Sequence, residues 1–365
     1  MSGRVVLAPD SFKGTVSAAG AAAALARGWV SVRPGDEVVL RPMADGGEGT
    51  LEAFASAVPG AVKVPVAVTG PDDRPVDAVW LRLPGGVGLV ELAATSGITL
   101  LDPLRPMRAH TVGFGEAIAA ALDAGATRLL LAIGGSCSTD GGIGALSALG
   151  AVFADAAGRP VPSGADGVGV VDRVDLSGLR SVPSGGAEIL SDVSNPLTGP
   201  FGAASIFAPQ KGATAGMVEA MDAGLGRYAR LLPDGEVLAE AHGAGAAGGT
   251  GFGLLAWGAR MSGGAGAVAD AIGLDAALAG ADLVVTGEGR FDGQSAAGKV
   301  PTEVAARARA AGVPVALVAG RIDADPSGFA ASVSLTDLAG SPDQAMTDPV
   351  HWLETAGAHL ARRQA

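Results

Sequence analysis

The feature that most constrains the fold is an alternation of short apolar runs and Ala-rich stretches at both ends of the chain. A Val-rich run at Arg4–Ala8 precedes an Ala-rich stretch from Ser17 to about Val30, and Val38–Leu40 precedes a second stretch that favours helix. Such alternation is typical of βαβ units, whose strands are parallel. The C-terminal part repeats it, with strands predicted at Asp282–Thr286, Val313–Val318 and Ser332–Leu335 and helices at Lys299–Ala311 and His351–Arg363.

The middle of the chain has a different rhythm. Strand-like runs follow one another directly, and Pro84-Gly85-Gly86 between two of them predicts a hairpin. Neighbouring antiparallel strands do not belong within a doubly wound sheet. Further along, a helix at Gly113–Ala124 and strands at Leu129–Ile133 and Glu188–Leu190 are expected.

These patterns together predict an α/β protein with two domains. A chain of 365 residues is long for one compact domain. We expect a discontinuous Rossmann-like doubly wound domain formed by residues 1–66 and 261–365, and an inserted mixed α/β domain formed by residues 67–260. A cleft in such a protein is a common place for a substrate site.

Charge and composition exclude several classes of protein. The net charge of −12, without a cluster of Lys or Arg, argues against a nucleic-acid surface. The single cysteine, Cys137, excludes an intramolecular disulfide and a zinc site built from cysteines. No run approaches the length of a membrane span, and the N-terminus lacks the features of a signal peptide, so we expect a cytoplasmic protein.

Five loops place glycine beside charged or amide side chains directly after a predicted strand, which is where open α/β sheets bind ligands. The first holds Asp10, Ser11 and Lys13, which could hold a metal–phosphate or a substrate carboxylate. The second interleaves Asp45 and Glu48 with three glycines and could hold Mg²⁺ or hydroxyl groups. Helix capping is the plain alternative for both loops.

The third loop follows the strand at Leu129–Ile133 and resembles an anion site, although it lacks the Walker pattern. Its candidate nucleotide-binding residues are Gly134, Gly135, Ser136, Asp140 and Gly141. Cys137 in the same loop is expected to be a small packed residue rather than a nucleophile, because no histidine lies nearby in sequence.

The fourth and fifth loops contribute carboxylates, an amide and cations. The fourth holds Asp192, Asn195 and Lys211, and the fifth holds Glu288, Arg290 and Lys299. Asp as base or metal ligand with Lys as phosphate partner is the functional interpretation of the fourth, and turn chemistry is the alternative for the Asn-Pro step. The density of ionic side chains in the fifth loop favours function over a simple turn.

Together these loops resemble the bacterial glycerate kinases that carry an Ala-Pro-Asp-Ser-Phe-Lys-Gly signature. The matching segments are APDSFKG (8–14), DGGEGT (45–50), GGSCSTDGG (134–142), SDVSNPLTG (191–199), APQKGA (208–213), GAAGGTGFG (245–253) and TGEGRFDGQSAAGK (286–299). The family usually has Ser at the position of Thr15, Ala-Thr-Asn at 137–139 and Gly at the position of Ala208. The change at Thr139 removes an amide.

The resemblance implies ATP-dependent phosphorylation of D-glycerate, typically to 2-phosphoglycerate, with Mg²⁺. Phosphoryl transfer needs a base, metal ligands, cations for the phosphate and a partner for the glycerate carboxylate. Our hypothesis assigns Asp192 as base or metal ligand, Lys13 and Lys211 to the phosphate, and Arg290 to the carboxylate. We also expect Asp10, Ser11, Glu288 and Asn195 to bind the substrate. The third loop and Lys299 are expected to bind the nucleotide, and Asp45 and Glu48 to bind Mg²⁺.

Several alternatives stay open at this stage. The acceptor could be the 3-hydroxyl, or the substrate could be another small hydroxy acid. A sugar-acid-binding regulator without catalysis is a further alternative, and it would bind glycerate without forming ADP. A homodimer is also left open.

Overall fold

The computed structural model describes residues 2–293 and 299–364. Residues 294–298 of the fifth loop motif lie outside the described residues. Within that range the strands are β1 (Arg4–Pro9), β2 (Glu37–Leu40), β3 (Val62–Thr69), β4 (Pro75–Leu83), β5 (Val87–Glu91), β6 (Arg128–Ala132), β7 (Val152–Ala154), β8 (Arg173–Asp175), β9 (Ala187–Leu190), β10 (Arg260–Ser262), β11 (Leu283–Phe291), β12 (Val315–Ile322) and β13 (Ala331–Ser334).

The same described residues also form a series of α-helices. They are α1 (Ala18–Val32), α2 (Thr50–Ala57), α3 (Ala93–Ser96), α4 (Val112–Asp123), α5 (Ile143–Ala148), α6 (Ala165–Val170), α7 (Ala203–Phe207), α8 (Ala215–Ala229), α9 (Gly235–Ala239), α10 (Ala246–Trp257), α11 (Gly264–Ala271), α12 (Leu274–Leu278), α13 (Val300–Ala311), α14 (Leu335–Ala339), α15 (Pro342–Thr347) and α16 (Pro349–Arg363). None of the described helices combines the length and the apolar character needed to cross a bilayer.

The chain folds into two compact units. Unit 1 comprises Met1–Asp45, Glu52–Pro59 and Ala265–Ala365, and unit 2 comprises Gly46–Leu51 and Gly60–Gly264. The α/β class expected from the sequence is confirmed, since each unit contains a sheet with helices between its strands. The exact domain limits given above stay a prediction.

Unit 1 contains a parallel sheet that, in the part of the chain the structure describes, has the order β2-β1-β11-β12-β13. Counted along the chain of this unit, the order is 2-1-3-4-5, one of the two common doubly wound orders. The direction reverses between β1 and β11, because β1 leads through α1 to β2 on one side and β11 leads through α13 to β12 on the other. This switch point is where doubly wound sheets bind ligands.

Helices α1 and α16 pack against each other in unit 1 through glycine. A Cβ atom on Gly28 would lie 1.9 Å from the backbone oxygen of Glu354, so no larger residue fits at this crossing. Helix α1 begins after Ser17, whose side chain accepts a hydrogen bond from the amide of Gly20 at 3.1 Å. Asp348 caps α16 in the same way, with Pro at the first helical position.

Unit 2 contains a mixed sheet with the order β10-β9-β6-β5-β4-β3 among its described residues. Strands β5, β6, β9 and β10 are parallel, whereas β3–β4 and β4–β5 pair antiparallel. The hairpin predicted at Pro84-Gly85-Gly86 is therefore confirmed, and it joins β4 to β5. The largest core side chains of this unit include Trp80, Phe114, Tyr228 and Phe252.

Helices α8 and α10 of unit 2 are not anticipated by the sequence patterns. In α10 the residues Ala247, Gly248 and Gly249 all have positive φ, so the segment is not a regular helix at its start. Its glycine content hides the periodicity on which helix prediction depends. At the other end of the chain, β13 stops at Ser334, one residue before the predicted end, because Ser334 caps α14.

Candidate functional site

A pocket of about 400 Å³ opens in unit 1 at the carboxyl ends of β1, β11, β12 and β13. The switch point between β1 and β11 lies at this edge of the sheet, so the fold places the first and fifth sequence loops together. The predicted site residues that line the pocket are Asp10, Ser11, Lys13, Asp45, Glu288, Arg290 and Lys299.

Several of the carboxyl groups that line the pocket are partly or fully buried. Asp10 is 7% exposed and Glu288 is 8% exposed, while the Lys13 ammonium lies 4.0 Å from a carboxylate oxygen of Asp45. Burial first, and then the charge of Asp45, raises the pKa of Asp10 to about 8, although the Ser11 amide and Lys13 act in the opposite direction. Asp10 therefore carries a proton near neutral pH and can donate a hydrogen bond to a ligand.

Two arginines from neighbouring strands also line the pocket. Arg290 and Arg321 are paired residues on β11 and β12, and each places its Nε 2.6 Å from a different oxygen of Asp323. Arg290 also lies 3.8 Å from Asp292. Two guanidinium groups thus share the Asp323 carboxylate, and both side chains are more than 60% exposed at the pocket. This arrangement suits an anionic ligand.

Sequence analysis missed Arg321 and Asp323. Their signal is the same as that of the other loops, because the apolar run of β12 ends in Gly320 and Arg321. The loop contains a single glycine, Gly320, and so lacks the glycine density of the other five loops.

The carboxylates of the pocket fit Mg²⁺ only in part. In residues 2–293 and 299–364 no group of three or more His, Cys, Asp or Glu could hold a metal ion. Mg²⁺ usually binds one or two carboxylates together with substrate phosphates and water. Burial is the main cause of the raised pKa of Asp10, and the charge of Asp45 adds to it, so a cation bound beside these two residues would be stabilised by their carboxylates. The residues therefore fit a Mg²⁺ ion that arrives with a phosphate ligand.

The third and fourth loops meet in unit 2 around a buried lysine. Lys211 is 3% exposed, and its ammonium donates to Ser136 Oγ at 2.9 Å and to the backbone oxygen of Ser138. Burial lowers the pKa of Lys211 to about 8, although Cys137 and Asp140 act against the shift. The lysine predicted to contact phosphate thus also holds the 136–138 segment in place.

Asp140 is fully buried and accepts hydrogen bonds from several parts of unit 2. The amide and hydroxyl of Thr111 donate to its Oδ2 at 2.9 and 2.8 Å, and the amide of Gly144 donates at 3.3 Å. Its Oδ1 accepts from the amide of Gly142 at 3.1 Å. These contacts join the beginnings of α4 and α5, so the Asp140 carboxylate is engaged inside the unit.

The glycine motifs of unit 2 pack closely against one another. A Cβ atom on Gly134 would lie 2.4 Å from the Cα of Gly47 in the second loop. Gly248 has φ +67°, and a Cβ atom there would lie 2.1 Å from the backbone oxygen of Ser138. Three of the sequence motifs therefore interlock, which gives their glycines a packing role independent of any ligand.

Glu91, at the end of β5, is a further residue that the sequence patterns do not single out. It is 5% exposed, and its carboxylate accepts from the amide of Leu51 at 2.8 Å and that of Gly49 at 3.3 Å. Burial raises the pKa of Glu91 to about 7, with the two amides opposing the shift and the charge of Glu48 adding to it. Glu91 thus holds the second loop and the beginning of α2. Glu48 itself is exposed.

The other predicted residues of unit 2 lie in the loop after β9. Asp192 is exposed, and its Oδ1 accepts from the amide of Gly264, where α11 begins. The Asn195 amide donates to the backbone oxygen of Phe201 at 2.8 Å and so shapes its own loop. Cys137 is 2% exposed and donates to the backbone oxygen of Ser96, which confirms that it is a packed residue.

Comparison with known proteins finds one family over nearly the entire chain. Residues 5–365 match the sequence model described as the glycerate kinase family. A glycerate kinase of Bacillus subtilis (strain 168) is 42% identical over 329 residues, which is 88% of this chain and 86% of the relative. A protein named glycerate 2-kinase from Escherichia coli (strain K12) is 39% identical over 88% of this chain and 86% of its own length.

Solved structures give the same result. The crystal structure of a glycerate kinase 2 from Salmonella typhimurium LT2 aligns with a TM-score of 0.85 at 38% sequence identity. The alignment covers 100% of this chain and 98% of the other chain. Sequence and fold therefore agree on the same group of proteins.

Proposed function

The chain belongs to the glycerate kinase family, and from this membership we propose that it transfers the terminal phosphoryl group of ATP to the 2-hydroxyl of D-glycerate. The proposal rests on one observation above all: the pocket of unit 1 is lined by the carboxyl groups of Asp10, Asp45 and Glu288 together with the guanidinium groups of Arg290 and Arg321. D-Glycerate carries hydroxyl groups and a carboxylate on three carbons, and this pocket offers partners for both. The relative from Escherichia coli is named a 2-kinase, which supports the choice of hydroxyl.

In unit 1 the proposed roles follow from charge and position. Arg290 binds the glycerate carboxylate through its guanidinium fork, and Asp10, Ser11 and Glu288 bind the hydroxyl groups. Lys13, whose side chain is 74% exposed, binds the transferring phosphoryl group. Lys299 binds the nucleotide.

Mg²⁺, when bound with ATP, would neutralise negative charge on the phosphoryl oxygens. Asp45 and Glu48 are its proposed protein ligands. Asp45 lines the pocket of unit 1, and Glu48 is an exposed residue of unit 2.

In unit 2 we propose Asp192 as the base or a metal ligand, because it is an exposed carboxylate just beyond the carboxyl end of β9. Gly134, Gly135, Ser136, Asp140 and Gly141 form the proposed nucleotide loop. Within it Asp140 acts by fixing the loop backbone, and Lys211 acts through Ser136 and Ser138 as well as on phosphate. Asn195 keeps the loop after β9 in shape for the substrate.

Phosphorus NMR of the product tests the proposed reaction. With D-glycerate, ATP and Mg²⁺ we expect ADP and 2-phosphoglycerate. A product signal of 3-phosphoglycerate would overturn the choice of hydroxyl, and ADP release only with other hydroxy acids would overturn the substrate. D-Glycerate binding without any ADP would support a regulator instead.

The base assignment has its own test in Asp192→Asn. Loss of general-base catalysis lowers turnover by about 10² to 10⁴ fold, so we expect a drop of at least about 100-fold in kcat at saturating substrate. Near-normal turnover would show that the base lies elsewhere. Asp222→Asn in the same unit, which removes a carboxylate that accepts from the amide of Gly199 at 2.9 Å, serves as the control for loop disturbance.

We further propose that the protein acts in the cytoplasm on its small-molecule substrate, and that a homodimer forms. Light scattering after gel filtration measures the oligomeric state directly, and a mass of one chain would contradict the homodimer. Cell fractionation tests the cytoplasmic location.

A further inference from the structure

The pocket of unit 1 has an apolar wall that glycerate does not need. Beyond the charged residues it is lined by apolar residues of the three helices that follow β13, namely Leu335, Pro342, Ala345, Met346 and Pro349. Leu335 and Ala345 are 2% and 6% exposed, whereas Met346 is 65% exposed. Every carbon of glycerate bears oxygen, so glycerate offers no apolar surface to match this wall.

The size of the pocket also indicates a ligand larger than glycerate. Its volume of about 400 Å³ falls in the range of about 300 to 1,000 Å³ that is typical of sites for drug-sized ligands. A three-carbon acid occupies only the polar end of such a space. A second ligand, larger and partly apolar, accounts for the remainder.

The order of the strands determines the order of apolar, basic and acidic side chains along the pocket. At the carboxyl edge, β13 is followed by β12, β11 and β1, so apolar Leu335 is succeeded by Arg321, Arg290 and then Asp10. Three strand intervals span about 14 Å at the usual spacing of neighbouring strands. An extended nucleotide has the same sequence of properties, with a flat ring of apolar faces at one end and a chain of phosphates leading away from it.

We propose that the apolar wall is the binding site for the base of a purine nucleotide, whose phosphates run past Arg321 towards the glycerate bound at Arg290 and Asp10. The inference deepens the proposed function and rests on it, in that a nucleotide is the phosphoryl donor. Met346 packs against the ring through its thioether, as methionine does with aromatic rings. Arg321 binds the phosphates as a bidentate cation.

Calorimetric titration of the full-length protein with Mg²⁺ and either ADP or inorganic tripolyphosphate tests the base site. Tripolyphosphate has the phosphates of a nucleotide but no base. We expect Met346→Gln to weaken ADP about fivefold, because an apolar contact is lost, and to leave tripolyphosphate within about twofold. Arg321→Met should weaken both ligands about tenfold. Val237→Gln, at a residue of unit 2 that is 74% exposed, is the matched control and should change neither.

Equal ADP affinity in the wild type and Met346→Gln would overturn the base site, as would a parallel loss of both ligands or the absence of ADP binding to the wild type. These titrations need no turnover, so they separate this inference from the proposed function. A protein that loses ADP affinity in Met346→Gln yet fails to phosphorylate glycerate keeps its base site and loses its proposed reaction. If the protein phosphorylates glycerate and Met346→Gln binds ADP as tightly as the wild type does, the proposed reaction stands and the base site is wrong.

Discussion

The two units of this protein place similar residues after their strands and use them differently. In unit 1 the side chain of Lys13 is 74% exposed in a pocket that also holds Asp10 and Glu288. In unit 2 Lys211 is 3% exposed and Asp140 is fully buried, and both are hydrogen-bonded to their own unit. The side chains of the first group can touch a ligand directly. Those of the second hold the backbone of their own loops, and Lys211 does so in addition to its proposed contact with phosphate.

A glycine-rich polar loop after a strand therefore predicts a position at the carboxyl end of the sheet. It does not predict whether the side chains of the loop face a ligand or the interior of the protein. A buried carboxylate that accepts several amide hydrogen bonds is a structural group, since the cost of burying its charge is offset by those bonds. A buried carboxyl group with few such donors instead shifts its pKa upward, as Asp10 does. Variants in the two units should therefore fail in different ways.

The largest effect is expected for Asp140→Ala in unit 2. The change leaves the amides of Thr111, Gly142 and Gly144 without their acceptor in a buried region, which should lower the free energy of unfolding by about 3 to 5 kcal/mol. Urea denaturation measures the loss. Asp123→Ala, which removes an exposed ion pair with Arg180, is the control and should cost less than about 1 kcal/mol.

A small loss of stability in Asp140→Ala together with a complete loss of activity would break the comparison. That result would mean that the Asp140 carboxylate faces the ligand and that its internal hydrogen bonds contribute little.

A smaller effect is expected for Asp10 of unit 1, which should make the free energy of unfolding fall as the pH rises. The pKa of Asp10 is raised from 3.8 to about 8 in the folded protein, so between these values the unfolded chain releases a proton that the folded chain keeps. Stability contributed by protonated Asp10 is complete below pH 3.8 and is lost as the pH rises to about 8. Asp10→Asn should remove this pH dependence. The free energy of unfolding of the variant minus that of the wild type should therefore be larger at pH 8 than at pH 5 by more than about 1 kcal/mol.

Urea denaturation at the two pH values measures this change. Asp36→Asn is the control, because Arg33, through a side-chain hydrogen bond, lowers the pKa of Asp36 to about 2 and its contribution is constant between pH 5 and pH 8. A stability difference between wild type and Asp10→Asn that stays the same at both pH values would show that Asp10 is ionised throughout.

The smallest effect is expected for Glu91→Gln. The amide keeps one acceptor oxygen for the two backbone donors at Gly49 and Leu51, so the free energy of unfolding should fall by about 1 kcal/mol. Thermal unfolding at pH 4, below both the ordinary pKa of Glu91 and its raised value of about 7, detects the change without the gain that removal of a buried charge would give at higher pH, and Glu219→Gln on the exposed face of α8 is the control. An unchanged melting temperature would mean that Glu91 does not hold the second loop.

Much of the fold follows from the sequence. The parallel strands at both ends of the chain, the hairpin in the middle and the burial of Cys137 depend on local patterns, and each is confirmed. The carboxyl-end position of the first and fifth loops followed from the same alternation. Helix α10 could not be predicted, because positive φ at Ala247, Gly248 and Gly249 depends on tertiary packing.

The site was harder to predict, since burial depends on residues far apart in the chain. Asp140 is held by Thr111, and Lys211 by Ser136 and Ser138, which lie 29 to 75 positions away. Glu91 meets the second loop about 40 residues earlier. No local pattern in the sequence encodes these long-range contacts, so the sequence does not distinguish loops whose side chains face a ligand from loops whose side chains are buried.

The central claim is that glycerate binds to side chains of the unit 1 pocket, and calorimetry with D-glycerate tests it most directly. Replacing Arg290 by Met removes a charge-assisted partner of the carboxylate and should weaken D-glycerate binding by about 10 to 100 fold. Ser136→Ala in unit 2, which removes a hydroxyl bonded to Lys211, should change D-glycerate affinity less than about twofold. Full affinity in Arg290→Met with a large loss in Ser136→Ala would contradict the account.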